Sequence, residues 1–246
     1  MNYKYYHGTS SIFLASIAEF GLGGINPNLK YKNLELLKYL SDQGEIHLTT
    51  NIEYLKSREP ILAMARQTDL EIDIPNGNNI FFNYRHDGIY VAFTRERAAI
   101  YACANRYGSE ILDYCIKLYK LLKIECKDFR LPADLNLFGI EKYLDYEQMP
   151  ILVEAIGVKE EDLETENGRE ASHILNELRE IIPTLSKRER FEKLQFINFK
   201  ILKPTPPERL KFYEIEYSSH PKYLDFEWTM TKIEPDSNIF NRNTIP

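Results

Sequence analysis

The sequence predicts an α+β fold, and three stretches predict it. Gly88-Ile89-Tyr90-Val91-Ala92-Phe93 is a β-branched and aromatic run suited to a short buried strand, and the alanine-rich residues 95–104 after it suit a helix. Tyr5-Tyr6-His7-Gly8-Thr9-Ser10 repeats the arrangement near the N-terminus, a strand passing into a helical run that ends at Gly21. Near the C-terminus, residues 226–233 form a second β-rich run headed by Glu227 and broken at Pro235.

The elements follow in order. Lys4 to Tyr6 is strand-like and delivers His7 at its end, with Gly8 permitting close approach of a ligand to the backbone. Thr9 or Ser10 caps a helix whose apolar residues Ile12, Phe13, Leu14, Ile17, Ala18 and Phe20 recur at helical spacing. A helical piece is expected around residues 34–40. Glu45-Ile46-His47-Leu48-Thr49-Thr50 then reads as a strand, with Asn51 capping a helix through Ala63 and Ala65. The turn-rich residues 75–79 are followed by a short strand at 80–84.

Thr94 is the expected N-cap of the helix over 95–104, with Glu96 in its positive first turn. Tyr90 on the strand and Tyr101 on this helix bracket one strand-to-helix turn and can clamp a flat ring, although aromatics in such places are ordinarily core. Residues 109–124 form an apolar core helix, and Ile151-Leu152-Val153-Glu154-Ala155-Ile156 a buried strand after Pro150. An amphipathic helix over 168–182 ends at Pro183, and Ser186-Lys187-Arg188-Glu189 is a capping box opening another. Beyond the linker Pro204-Thr205-Pro206-Pro207, residues 210–217 form a strand, 218–223 a loop and 238–246 a loose tail.

At 246 residues, with 43% hydrophobic and 28% charged side chains, the chain is expected to fold as one globular domain over 1–246 with insertions at about 23–85 and 109–203. A net charge of −6 gives no overall basic field for nonspecific nucleic-acid binding, though a local basic groove is compatible with it. Cys103, Cys115 and Cys126 lack metal or disulfide spacing, and His7, His47, His86, His173 and His220 show no paired ligand spacing, so no metal site is expected. Met1-Asn2-Tyr3-Lys4 carries no apolar leader and no apolar run is long enough to span a bilayer, which leads us to expect a cytoplasmic protein with no membrane partner.

The three stretches together resemble the His-Tyr-Glu signature of the ADP-ribosyltransferase superfamily, in the diphtheria-toxin and poly(ADP-ribose) polymerase branch. That branch has a His-Gly-Ser/Thr strand first, a Gly-Ile-Tyr strand with a second tyrosine on the next helix, and a glutamate heading a late strand. The matches cover residues 5–22, 88–102 and 223–235, less than half of the chain. The resemblance implies two short, mainly antiparallel sheets around an NAD cleft, with helical insertions packed outside. It implies mono-ADP-ribosyl transfer from NAD to a macromolecular acceptor, protein or nucleic acid, in the manner of a bacterial or phage toxin or defence effector with an antitoxin or inhibitor protein as a partner.

By the same resemblance His7, Tyr90 and Glu227 are the catalytic set, and His7, Gly8, Thr9, Tyr90 and Tyr101 bind NAD. His7 bonds the adenosine ribose, the Gly8 backbone holds the carboxamide, the tyrosines stack on nicotinamide, and Glu227 stabilises positive charge on the reacting ribose. Many relatives carry serine three positions before the second tyrosine; here that residue is Ala98. Glu214, Glu216 and Glu234 compete with Glu227, and His47 competes with Tyr90, since Ile46-His47-Leu48 overlays Ile89-Tyr90-Val91. The alternatives to transfer are NAD hydrolysis and an inactive NAD- or partner-binding module. An RNA 2′-phosphotransferase, which shares the fold, needs a set of arginines that the sequence does not place.

Overall fold

The structure, a computed structural model, describes residues 4–73, 79–166, 168–194, 197–218 and 227–234. Several sequence expectations lie outside those residues: the N-terminal tripeptide, the turn at 75–78, the loop at 219–226 with His220, the break at Pro235 and the tail from 238.

The chain opens with strand β1 (Lys4–Ser10), a 3₁₀ turn and helix α1 (Leu14–Phe20). Helices α2 (Pro27–Lys30), α3 (Asn33–His47), α4 (Ile52–Leu55) and α5 (Arg58–Arg66) precede strands β2 (Asp69–Asp73) and β3 (Asn79–Asn83). Strand β4 (Tyr90–Ala92) leads into α6 (Arg95–Ala104) and α7 (Glu110–Glu125). Then come β5 (Pro150–Ile156), β6 (Leu163–Thr165), α8 (Ala171–Ile181), α9 (Lys187–Leu194), β7 (Asn198–Ile201), β8 (Leu210–Tyr217) and β9 (Trp228–Ile233). The fold is α+β, and every strand pairing in it is antiparallel. No helix among the described residues is long and apolar enough to cross a membrane.

The chain divides into two compact units. The first comprises Met1–Asn26, Gly88–Ser109 and Gln148–Pro246; the second comprises Pro27–Asp87 and Glu110–Glu147. The first insertion thus matches most of the second unit, but much of the other one, from residue 148 onward, supplies β5, β6, β7, α8 and α9 to the first unit.

The first unit is built on one seven-stranded sheet of order β6-β7-β4-β1-β5-β8-β9, in place of two separate sheets. Its strands alternate two apolar faces. Tyr5, Val91, Ile151, Val153, Phe199 and Phe212 form one core with Leu14 of α1, Leu175 of α8 and Leu194 of α9; Tyr6, Leu152 and Ile215 form a second core with α6. The sheet is nearly divided at one seam, where β1 meets β4 through the single pair Tyr6↔Ala92. Aromatic packing closes that seam on the first face: the Tyr5 and Phe93 rings lie 5.3 Å apart, and Phe199 meets Tyr5 at 6.1 Å and Phe93 at 5.3 Å, both edge-on. Each such pair contributes about 1 kcal/mol beyond its burial.

Other expectations change in detail. His7 lies within β1 and not at its end, paired with Val153. Ile46 and His47 belong to the last turn of α3 in the second unit, so the rival strand at 45–50 does not form and His47 cannot replace Tyr90 in a strand-to-helix turn. Asn51 does cap a helix, α4, accepting from Tyr54 N at 3.1 Å. Ser186 and Glu189 make the expected reciprocal box at the start of α9.

In the second unit, His86 ties the segment after β3 to α7. Its Nδ1–H donates to Tyr84 O and its Nε2–H to Glu110 Oε2, both at 2.9 Å. A carbonyl and a carboxylate only accept, so this arrangement favours the doubly protonated ring. Burial opposes that charge, but Glu110, aided by the Tyr84 carbonyl and Asp87, outweighs it and holds the pKa above the ordinary histidine value. The bond therefore contributes fully below pH ~6.5 and its contribution is lost as pH rises through the raised folded-state value. Thermal unfolding across pH 5.5–8.5 should show the wild-type midpoint falling relative to that of His86→Gln; parallel profiles would contradict this account.

Candidate functional site

The site expected from the sequence begins at the turn between β4 and α6. Thr94 Oγ1 accepts from Arg97 N at 3.2 Å, which satisfies an otherwise orphaned amide and starts the helix where the motif predicts. Ala98, Ala99, Ala102 and Cys103 form the buried stripe of α6. Small side chains here let the helix backbone settle directly on β1. A Cβ placed on Gly8 would lie 2.0 Å from Ala98 O and 2.8 Å from Ala102 N.

The missing side chain of Gly8 thus makes room for a helix, which is a role separate from the backbone contact that the resemblance implies. Thr9 of the expected binding set is enclosed. It is 1% exposed, and its hydroxyl is directed at Gly108 O, 3.5 Å away, so it offers no surface to a ligand.

His7 spans the seam. Its Nδ1–H donates to Tyr90 O at 2.8 Å, supplying a partner to a β4 carbonyl where the ladder with β1 has opened. Burial holds the imidazole below the usual histidine pKa, although the bond to Tyr90 acts in the other direction. The ring is therefore neutral near pH 7, and with the proton on Nδ1 its Nε2 carries an acceptor lone pair. An incoming hydroxyl is the natural complement.

By strand alternation and helix periodicity, Tyr90 and Tyr101 both belong to the side of the sheet that α6 covers. Alternation along β4 puts Val91 in the first core and Tyr90, with Ala92, on the α6 side. At 100° per residue, Cys103 and Tyr101 lie on opposite flanks of α6, with Ala98 and Ala102 between them. Cys103 packs towards Tyr217 of β8, so Tyr101 flanks the opposite side, towards β4. Both tyrosines are partly exposed. The same wheel places Arg97 beside Tyr101. Burial pushes the Cys103 thiol up to about 12, which removes it as a nucleophile at neutral pH.

Register adds two groups that the motifs did not indicate. Tyr90 pairs with Lys200 of β7 and Lys200 with Glu164 of β6, so the three side chains form a row on the α6 side of the sheet. Lys200 Nζ lies 3.7 Å from Glu164 Oε2. In the next row, Asn198 Nδ2 donates to Glu166 Oε1 at 2.7 Å. Their signal in the sequence was the alternation of polar and apolar residues in two very short segments.

Glu227 is not brought to this groove. It precedes β9, the far edge of the sheet, three strands from β1 and four from β4, or roughly 14 and 19 Å at ordinary strand spacing. Its side chain is exposed, and its carbonyl accepts from Ser218 N at 3.2 Å. Glu214 pairs with Ile151 and so lies on the opposite face from α6, with Glu216 two residues on, while Glu234 binds Lys232 at 2.8 Å. Of the expected set, Tyr90 and Tyr101 lie on the α6 side, His7 is tied to the Tyr90 carbonyl but by its pairing with Val153 belongs to the other face of the sheet, and Glu227 is apart.

The carboxylate that the structure does bury on the α6 side is Glu154, 1% exposed. Lys4 Nζ, Arg95 Nη2 and Lys211 Nζ approach it at 3.1, 3.3 and 3.9 Å. It fastens the first turn of α6 to the sheet. Among the described residues no group of three or more His, Cys, Asp or Glu is arranged to hold a metal ion. Comparison of the chain with protein-family models, curated proteins and solved structures returns no match.

Proposed function

We propose that the groove between α6 and β4 binds NAD and that the chain is an NAD-dependent mono-ADP-ribosyltransferase acting on a macromolecular acceptor. The observation that carries the proposal is the bond from His7 Nδ1 to Tyr90 O, which joins the first two motifs across the opened seam between β1 and β4. The tyrosines suit a flat nicotinamide, the lone pair of His7 suits a ribose hydroxyl, and Arg97 and Lys200 suit a pyrophosphate. The finer fold assignment, an ADP-ribosyltransferase-like fold with an NAD cleft, is proposed on the near-division of its single sheet between β1 and β4.

The transfer step needs a carboxylate next to the ribose, because the departing nicotinamide leaves positive charge on the sugar. The sequence assigns that role to Glu227; the row from Tyr90 through Lys200 favours Glu164, about 10 Å from Tyr90 across two strands. Incubation with labelled NAD and cell lysate, followed by protease or nuclease treatment, tests transfer and identifies the acceptor. Absence of any labelled macromolecule would refute it. The placement of Glu227 favours a second reading, a module that binds NAD without transferring ADP-ribose. Saturable NAD binding with neither label transfer nor nicotinamide release would establish that reading.

The tyrosines are expected to serve binding. Tyr90→Ala or Tyr101→Ala should raise KM for NAD by roughly fivefold to a hundredfold, the value of one base–aromatic stack, with a smaller change in kcat. Steady-state kinetics decide this: a loss confined to kcat would give the tyrosines a chemical role instead.

A further inference from the structure

The edge hairpin β8–β9 carries a surface that the proposed reaction does not use. Its register places Tyr217 opposite Trp228, Ile215 opposite Met230 and Tyr213 opposite Lys232. Ile215 belongs to the α6-side core, with Tyr213, Tyr217 and Trp228 packed against it as partly buried neighbours. These aromatics therefore share one face and keep part of each ring exposed. The Tyr217 hydroxyl donates to Gln148 Oε1 at 3.1 Å, which fixes that ring. Tyr213 and Tyr217 are four steps apart along the strand, about 13 Å, so the rings offer more than one stacking position.

Positive charge borders the same face. Lys211 pairs across β5 with Glu154, where Lys4 and Arg95 also converge, and Lys232 lies beside Tyr213. Among the described residues these four cations meet two carboxylates, Glu154 and the exposed Glu234. A chain of net charge −6 thus bears a locally basic, aromatic-lined strip along an edge strand. An acidic peptide would match the charge but give the ring faces no planar partner; a single-stranded nucleic acid satisfies both.

We infer that the α6-side face of β8–β9 docks single-stranded nucleic acid, with bases stacked on Tyr213, Tyr217 and Trp228 and phosphates held by Lys4, Arg95, Lys211 and Lys232. The docking does not depend on NAD chemistry; where both hold, the nucleic acid is the acceptor.

The test is a titration of the full chain with fluorescein-labelled oligothymidylate and, separately, oligouridylate, following anisotropy and tryptophan emission. Trp228 is the chain's single tryptophan, so its quenching reports this surface alone. Saturable binding that weakens with salt and quenches Trp228 is expected, and the two arms show which sugar is preferred. Lys232→Glu, at a side chain 52% exposed, should weaken binding fivefold or more with the thermal midpoint retained. Trp228→Ala should weaken it by a comparable factor, while NAD binding at the other site persists. No binding of either oligonucleotide, unquenched Trp228 on binding, or equal affinity for polyglutamate would each overturn the inference.

Discussion

Gly8→Val should destabilise the first unit by about 3 kcal/mol, the upper part of the usual range for overpacking. The added side chain would start 2.0 Å from Ala98 O, a backbone atom in the middle of α6, and no rotamer can relieve a clash that begins at Cβ. The helix must lift, which opens the core among Ala98, Ala102, Leu152 and Tyr6 and moves Tyr101 relative to Tyr90. For a chain of this size the melting midpoint should fall by roughly 6–12 °C, and NAD affinity should fall with it. Gly8→Ala should show a smaller effect of the same sign. An unchanged midpoint in Gly8→Val would mean that α6 does not rest on β1 as described. Retained stability with lost NAD binding would instead favour the ligand-contact role that the motif implies for Gly8.

That contrast shows how far the sequence could be read. The strand-turn-helix at Tyr90–Ala104 was legible because local signals agree there: β-branched and aromatic residues, a Thr94 cap, an alanine stripe. The capping box at Ser186 and the bounds of β8 were legible for the same reason. Gly8 was read as a glycine that admits a ligand, because a sequence shows that space is needed but not what fills it. His7 was read at the end of a strand that continues to Ser10, and its bond to Tyr90 depends on the ladder opening at the seam, which is decided by pairing across 83 residues.

The failures have a common cause in non-local pairing. Ile46-His47-Leu48 has the composition of a strand, but Leu36, Leu40, Gly44 and Leu48 continue a helical spacing, and all four are buried. Gly44 lets α3 run past the Tyr54 ring, where a Cβ would sit 3.0 Å from its nearest carbon. Burial of that stripe overrode the local preference of Ile46 and His47. Leu163-Glu164-Thr165 and Asn198-Phe199-Lys200-Ile201 are too short to signal a strand alone; each forms because the other completes the sheet beyond β4. Glu227 was assigned by the resemblance, and the Tyr90–Lys200–Glu164 row that offers another carboxylate cannot be read without β6 and β7.

Replacing the two carboxylates should therefore give unequal results. Glu164→Gln is expected to lower transfer by roughly 10²-fold with NAD affinity largely intact, as for removal of one preorganised electrostatic group, and Glu227→Gln to lower it far less. Glutamine keeps the size and much of the hydrogen bonding while deleting the charge, so the comparison isolates the property that the reacting ribose requires. Glu164 also pairs with Lys200 at 3.7 Å, and its neutralisation could act through that lysine. Lys200→Gln separates the two: loss of a phosphate contact should raise KM for NAD, whereas loss of the carboxylate should lower kcat. Transfer and NAD hydrolysis should be measured on all three variants, because a residue that only positions the acceptor would reduce the first and spare the second. A large loss in Glu227→Gln, with Glu164→Gln active, would restore the sequence-based assignment. Full activity in both would leave the chain without the carboxylate that transfer needs, and NAD binding alone would stand.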